Sequence, residues 1–152
     1  MNKQPKTIWS GRLFNFMVFG LMFTGMAQMP IFKRYYLADV PGFGWTADFY
    51  LNHILHYILA TILLFIIFYR LGKFLRQPGR EIELITPIGW VKIFIWAGLI
   101  FTGILRVLKN QPNIFFSPQV VVFLDWGHLG FAIILGLAAL LGKILGQGYL
   151  RD

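Results

Sequence analysis

Residues Tyr50 to Tyr69 read YLNHILHYILATILLFIIFY, a stretch without one Asp, Glu, Lys or Arg. About 20 mainly apolar residues is the length a helix needs to cross a hydrocarbon core of ~30 Å. Three further runs approach that length: roughly Leu13 to Pro30, Ile88 to Leu108 and Val120 to Leu145. Lipid offers no hydrogen bonds to the backbone, so each run is expected to satisfy its own amides as a helix. The expected fold is an all-α integral membrane protein, a four-transmembrane-helix bundle that takes residues 1–152 as one domain.

Composition agrees with that solvent. The chain is 57% hydrophobic, 18% aromatic and only 13% charged, whereas a soluble domain carries about 25% charged residues. No cysteine is present, so the chain by itself offers no thiolate for an iron–sulfur cluster or zinc and forms no disulfide. Turn formers separate the runs: Pro41-Gly-Phe-Gly44, Gln77-Pro-Gly-Arg80 and Asn110-Gln-Pro-Asn113. None of these breaks has room for a separate domain. Lys3, Lys6 and Arg12 ahead of the first run resemble a signal peptide. The run is long, however, and lacks a small-residue cleavage site, so it reads as a retained membrane helix.

Orientation follows from the basic residues, which concentrate on cytoplasmic flanks. Ten of the 14 Lys and Arg fall in the N-terminal flank (Lys3, Lys6, Arg12), around the second loop (Arg70, Lys73, Arg76, Arg80, Lys92) and at the C-terminal flank (Lys143, Arg151). Lys33, Arg34, Arg106 and Lys109 fall on the other side, diluted by Asp39, Asp48 and Asp125. Both termini are therefore expected to be cytoplasmic. The net charge of +8 is then a matter of topology and phospholipid headgroups, with no call for nucleic acid.

Two histidines stand out in this apolar setting. His56 lies about six residues, or ~9 Å, into the second expected helix, and His128 about eight residues, or ~12 Å, into the fourth. Both helices run from outside to inside, which puts both imidazoles in the outer leaflet. An imidazole in lipid must be paired, solvated or coordinated. A level pair on helices of one direction is a way to hold a haem iron. The alternative is that each histidine is simply hydrogen-bonded to a neighbouring helix.

An internal echo supports a paired site. Gly20-Leu-Met-Phe-Thr-Gly25 in the first helix matches Gly98-Leu-Ile-Phe-Thr-Gly103 in the third. The chain thus reads as two helical hairpins, each ending in a helix with one histidine, and parallel repeats often build a site at their interface. Gly25 and Gly103, lacking side chains, would allow close approach of a helix or a porphyrin.

With these residues in view, the chain resembles the cytochrome b (gamma) subunit of membrane-bound formate dehydrogenase and its hydrogenase and thiosulfate reductase counterparts. The resemblance lies in Ile54-Leu-His56 with a helix ending Phe68-Tyr-Arg70, and in Gln119-Val-Val121 with six residues before His128. Arg12-Leu-Phe-Asn15 leading to Thr24-Gly25, and Ile100-Phe-Thr-Gly103, carry it into the other two helices. It implies that His56 and His128 are the axial ligands of a haem b on the periplasmic side, in a multi-pass protein of a bacterial or archaeal cytoplasmic membrane. The partners it implies are an iron–sulfur subunit with a catalytic, molybdenum- or tungsten-type subunit, or a c-type cytochrome, together with the quinone pool. The family also binds a second haem through a histidine on helix one and another fourteen residues after the first helix-four ligand; this chain has Asn15 and Gly142 there. One haem b is therefore expected. A quinone would then bind in the outer half near that haem, or another subunit would carry electrons onward.

The neighbours of the two histidines have candidate roles. His53 precedes His56 by one turn and is a candidate for a haem propionate or quinone contact, or for the axial ligand itself, against the plainer role of an interfacial histidine. Asp125 stands in the same relation to His128, either orienting that imidazole or sitting in the interface. Arg106 and Lys109 could neutralise propionates. Trp9, Trp45, Trp90 and Trp126 near helix ends read as interfacial anchors, and Trp96 lies deeper. No Walker loop, dinucleotide glycine fingerprint or HExxH is present, and the chain is expected to catalyse nothing alone. The expected function is a haem-containing membrane anchor and electron-transfer subunit of a respiratory oxidoreductase. The rival is a haem-free anchor or assembly subunit. A transporter or channel would call for ionisable residues at the bilayer midplane.

Overall fold

The computed structural model describes residues 8–29, 35–76, 85–146 and 148–149, the side chains of 8–10 aside. The chain divides into two compact units, Met1–Arg76 and Gln77–Asp152. Four helices account for most of the described residues: α1 Ile8–Ala27, α2 Phe49–Leu75, α3 Pro87–Leu108 and α4 Pro118–Ile144. No strand occurs among the described residues. In the first unit α1 packs on α2, and in the second α3 packs on α4, so each unit is a helical hairpin, as the G-L-x-F-T-G echo predicts.

The helices start where side chains can cap them. Asp48 accepts from the Leu51 amide at 3.0 Å, and Thr86 accepts from Gly89 at 2.8 Å. Ser117 caps α4, and Pro87 and Pro118 fill first-turn positions that have no intrahelical partner for an N–H. Helix ends differ from the expected ones for a physical reason. Hydropathy marks only the lipid-facing part, whereas the hydrogen-bonded ladder runs on into polar sequence. Thus α1 begins before Leu13 and α2 continues through Arg70 and Lys73 to Leu75. At its other end α1 stops at Ala27, short of Pro30.

α2, α3 and α4 are each long and apolar enough to cross a membrane, and α1 adds a shorter apolar segment, Gly11–Ala27. Their outward faces are themselves apolar: Phe65 is 73% exposed, Phe94 71% and Phe123 75%. A helix that is hydrophobic all round has lipid as its solvent. This is a multi-pass membrane protein in contact with lipid. Trp90 and Trp126 are exposed in the first three turns of α3 and α4, while Trp45 packs its ring 5.7 Å from that of Phe23. The charges at Lys3, Lys6, Lys33, Arg34, Arg80 and Arg151 lie outside the described residues, as do Pro30 and the Gln77–Arg80 turn.

Each hairpin has its own closure. In the first unit, short 3-10 turns at Leu37–Asp39 and Gly44–Ala47, with Gly42 at φ 87°, bring the loop over the start of α2. The fully buried Asn52 secures that loop, its Nδ2 donating to the carbonyls of Trp45 (3.1 Å), Thr46 (3.3 Å) and Asp48 (2.7 Å). In the second unit the chain after α4 folds back on the start of α3. Thr86 donates from Oγ1 to the Gly148 carbonyl (2.8 Å) and from its amide to Tyr149 (3.0 Å), and Trp96 Nε1 donates to the Tyr149 hydroxyl (3.1 Å). Lys92, counted in the sequence with the second loop, lies inside α3. It is buried, with Nζ 5.1 Å from the centre of the Tyr149 ring.

Candidate functional site

His56 and His128 are each half-buried against the first helix of their own unit. In the first unit Thr24, one residue before Gly25, turns its hydroxyl back along α1. Oγ1 donates to the Gly20 carbonyl at 2.7 Å and lies 3.0 Å from His56 Nδ1. The second unit repeats the arrangement. Thr102 Oγ1 donates to the Gly98 carbonyl at 2.7 Å and lies 2.9 Å from His128 Nδ1. Both threonines are buried.

A threonine hydroxyl has one proton, and in both units a short bond to the carbonyl four residues back uses it. With its proton so placed, the oxygen would accept from the imidazole, an arrangement that assigns the proton to Nδ1 and leaves the lone pair on Nε2.

The glycines of the repeat divide the packing between them. A Cβ at Gly25 would lie 3.4 Å from His56 Cε1, and one at Gly103 would lie 3.4 Å from His128 Cε1. Both therefore let a helix backbone lie beside an imidazole, although that spacing is ordinary van der Waals contact. The tighter approach is at the first glycine of the motif. A Cβ at Gly20 would come within 3.0 Å of Leu59 Cδ1, and one at Gly98 within 2.6 to 2.8 Å of three atoms of the Phe131 ring. Leu59 and Phe131 each follow their histidine by three residues. One turn further, Leu63 and Leu135 are both buried.

The turn on the other side of each histidine differs in chemistry but not in placement. In the first unit His53 Nδ1 lies 3.3 Å from Gln28 Oε1, with the Phe49 and Tyr57 rings at 5.7 and 4.3 Å between centroids. In the second unit Asp125 takes the place of His53 and Arg106 that of Gln28. Arg106 Nε and Lys109 Nζ lie 2.9 and 2.8 Å from Asp125 Oδ1. Asp125 is therefore engaged with these two cations, and Thr102 rather than Asp125 meets His128 Nδ1. Arg106 and Lys109, offered from sequence as propionate partners, share this carboxylate. Asn15 is exposed on α1, and Gly142 is buried in α4.

The two threonines are what sequence reasoning missed. Their signal was present, since both stand inside the repeated motif, but a motif read for its glycines draws attention away from the hydroxyl between them. The donor set fits a haem iron, because each unit presents one imidazole, an ordinary axial ligand of haem. Among the described residues no cluster of three or more His, Asp or Glu suggests a bare metal ion. No known family, curated protein or solved structure matches the chain.

Proposed function

We propose that this chain is the membrane-anchoring, electron-transfer subunit of a respiratory oxidoreductase, a cytochrome b of the formate dehydrogenase type with a single haem b. His56 and His128 are its axial ligands, one from each hairpin. The observation that carries the reading is the repetition of one built arrangement. Two hairpins each hold one histidine, at Nδ1, on a buried threonine whose own proton is already used. A histidine that only filled space would have no reason to be anchored twice in the same way by the same atom.

In this reading both termini are cytoplasmic and the histidines lie in the outer leaflet of a bacterial or archaeal inner membrane. Bound there, haem supplies one-electron transfer. The residues of the chain bind and orient it: Thr24 and Thr102 fix the imidazoles, Gly25 and Gly103 leave their edges uncrowded, and low-dielectric burial tunes the potential. His53 and Arg106, one turn outward, are the side chains for propionate or quinone contact. The electron partners are an extracytoplasmic iron–sulfur or c-type cytochrome subunit and the quinone pool, with the catalysis in another subunit.

The test is the reduced-minus-oxidised spectrum and haem-to-protein ratio of the purified chain. One haem b per chain, lost in both His56→Ala and His128→Ala, is the expected result. A wild-type chain that carries no haem overturns the reading in favour of a haem-free anchor. Two haems per chain would refute the assignment of Asn15 and Gly142 as the missing second pair.

A further inference from the structure

We infer that Thr24 and Thr102 are the positioning residues of the two histidines: they set which ring nitrogen carries the proton and so which one can bind iron. Threonines that bond back to the carbonyl four residues earlier are ordinary in membrane helices. Here the same oxygen also meets an imidazole, and it does so in both units with nearly identical geometry. The bonds to the carbonyls of Gly20 and Gly98 are both 2.7 Å, and the distances to Nδ1 are 3.0 and 2.9 Å.

The chain of donation runs from Nδ1–H to the threonine oxygen, and from the threonine O–H to the glycine carbonyl. Hydrogen bonds in series polarise one another. The imidazole is therefore held in one tautomer and made more electron-rich at Nε2, as a carboxylate or backbone carbonyl does for many metal-bound histidines. In lipid the threonine has an advantage over a carboxylate, because it adds no charge to be desolvated. The second unit shows the point directly. Asp125 is one turn from His128, yet it pairs with Arg106 and Lys109 and leaves Nδ1 to Thr102.

This inference rests on the haem reading for its effect on the cofactor, but the tautomer can be measured without haem. The experiment uses the full chain in micelles with nitrogen-15-labelled histidine, compared with Thr24→Val and Thr102→Val, which keep the shape and remove the hydroxyl. Nitrogen NMR of the haem-free wild type should show His56 and His128 protonated at Nδ1. Each Val variant should release its own histidine to the other tautomer or a mixture, and Thr24→Ser and Thr102→Ser should restore it. Titration with iron protoporphyrin IX should show affinity falling about 10–100-fold in each Val variant. The haem midpoint potential should rise, because a less electron-rich ligand stabilises ferric iron less.

Wild-type histidines protonated at Nε2 overturn the inference, whatever the variants do. So do Val variants with unchanged tautomer, haem affinity and potential, a result that leaves the haem reading intact. A chain that binds no haem but still shows the threonine-dependent tautomers keeps the inference and removes the haem reading.

Discussion

The two hairpins are the same machine with different outer turns. Around His56 and around His128 the threonine, both glycines and the buried leucine one turn beyond the packing residue correspond position for position. Immediately outward they diverge: Gln28 and His53 form a neutral contact at 3.3 Å, while Arg106, Lys109 and Asp125 form a charged one at 2.8 to 2.9 Å. Closures diverge too, with Asn52 tying down a loop in the first unit and Tyr149 covering the start of α3 in the second. What both units keep is what acts on the imidazole. What differs is the half-exposed margin, where partial exposure tolerates more than one solution.

The comparison can be tested first at the motif's leading glycine. A methyl group at Gly98 meets a rigid ring at 2.6 to 2.8 Å, whereas one at Gly20 meets the end of a leucine at 3.0 Å, which can rotate away. Gly98→Ala should therefore destabilise by about 3 kcal/mol and Gly20→Ala by roughly 1 kcal/mol, since overpacking a filled interface usually costs in this range. Denaturation in mixed micelles reads both. Equal costs would show that the two interfaces are packed alike after all.

The next largest effect is at Asn52, which has Leu124 as its counterpart in the second unit. Asn52→Leu removes the Nδ2 bonds to the loop and should cost about 1.5 kcal/mol, because the buried Thr46 carbonyl loses its donor while those of Trp45 and Asp48 keep the amides of Asp48 and Asn52. Faster proteolysis at residues 37–47 would accompany it. A neutral substitution would mean that the loop holds without its anchor.

The smallest effect is expected from rebuilding the second outer turn in the image of the first. Arg106→Gln with Asp125→His exchanges a partly exposed ion pair, with side chains 31% and 40% exposed, for a neutral pair. Such pairs contribute under ~1 kcal/mol. The denaturation midpoint should move within that margin. A larger loss of stability would show that the charged margin is part of what holds α3 to α4.

Much of this could be read from residues alone. The apolar runs identified the helices because only a helix satisfies its backbone in lipid, and their ends were missed by several residues because hydropathy is blind to a ladder that continues into polar sequence. His56 and His128 were legible as polar outliers in apolar runs, and their equivalence was legible in the repeated G-L-x-F-T-G. The threonines were harder, because a hydroxyl inside a membrane helix usually satisfies itself on its own backbone and announces nothing. Arg106 and Asp125 stand too far apart in sequence to be matched by pattern.

Sequence by itself therefore determined the solvent of this protein, its helical character and the division into two like hairpins, since each depends on composition and period along one chain. Tertiary structure alone decided which atom holds each imidazole, which glycine bears the tight contact and which charges meet. Those depend on the rotation of one helix about its axis against another. A few tens of degrees there move a side chain from lipid to a partner, without altering the apolar pattern that identifies the helix.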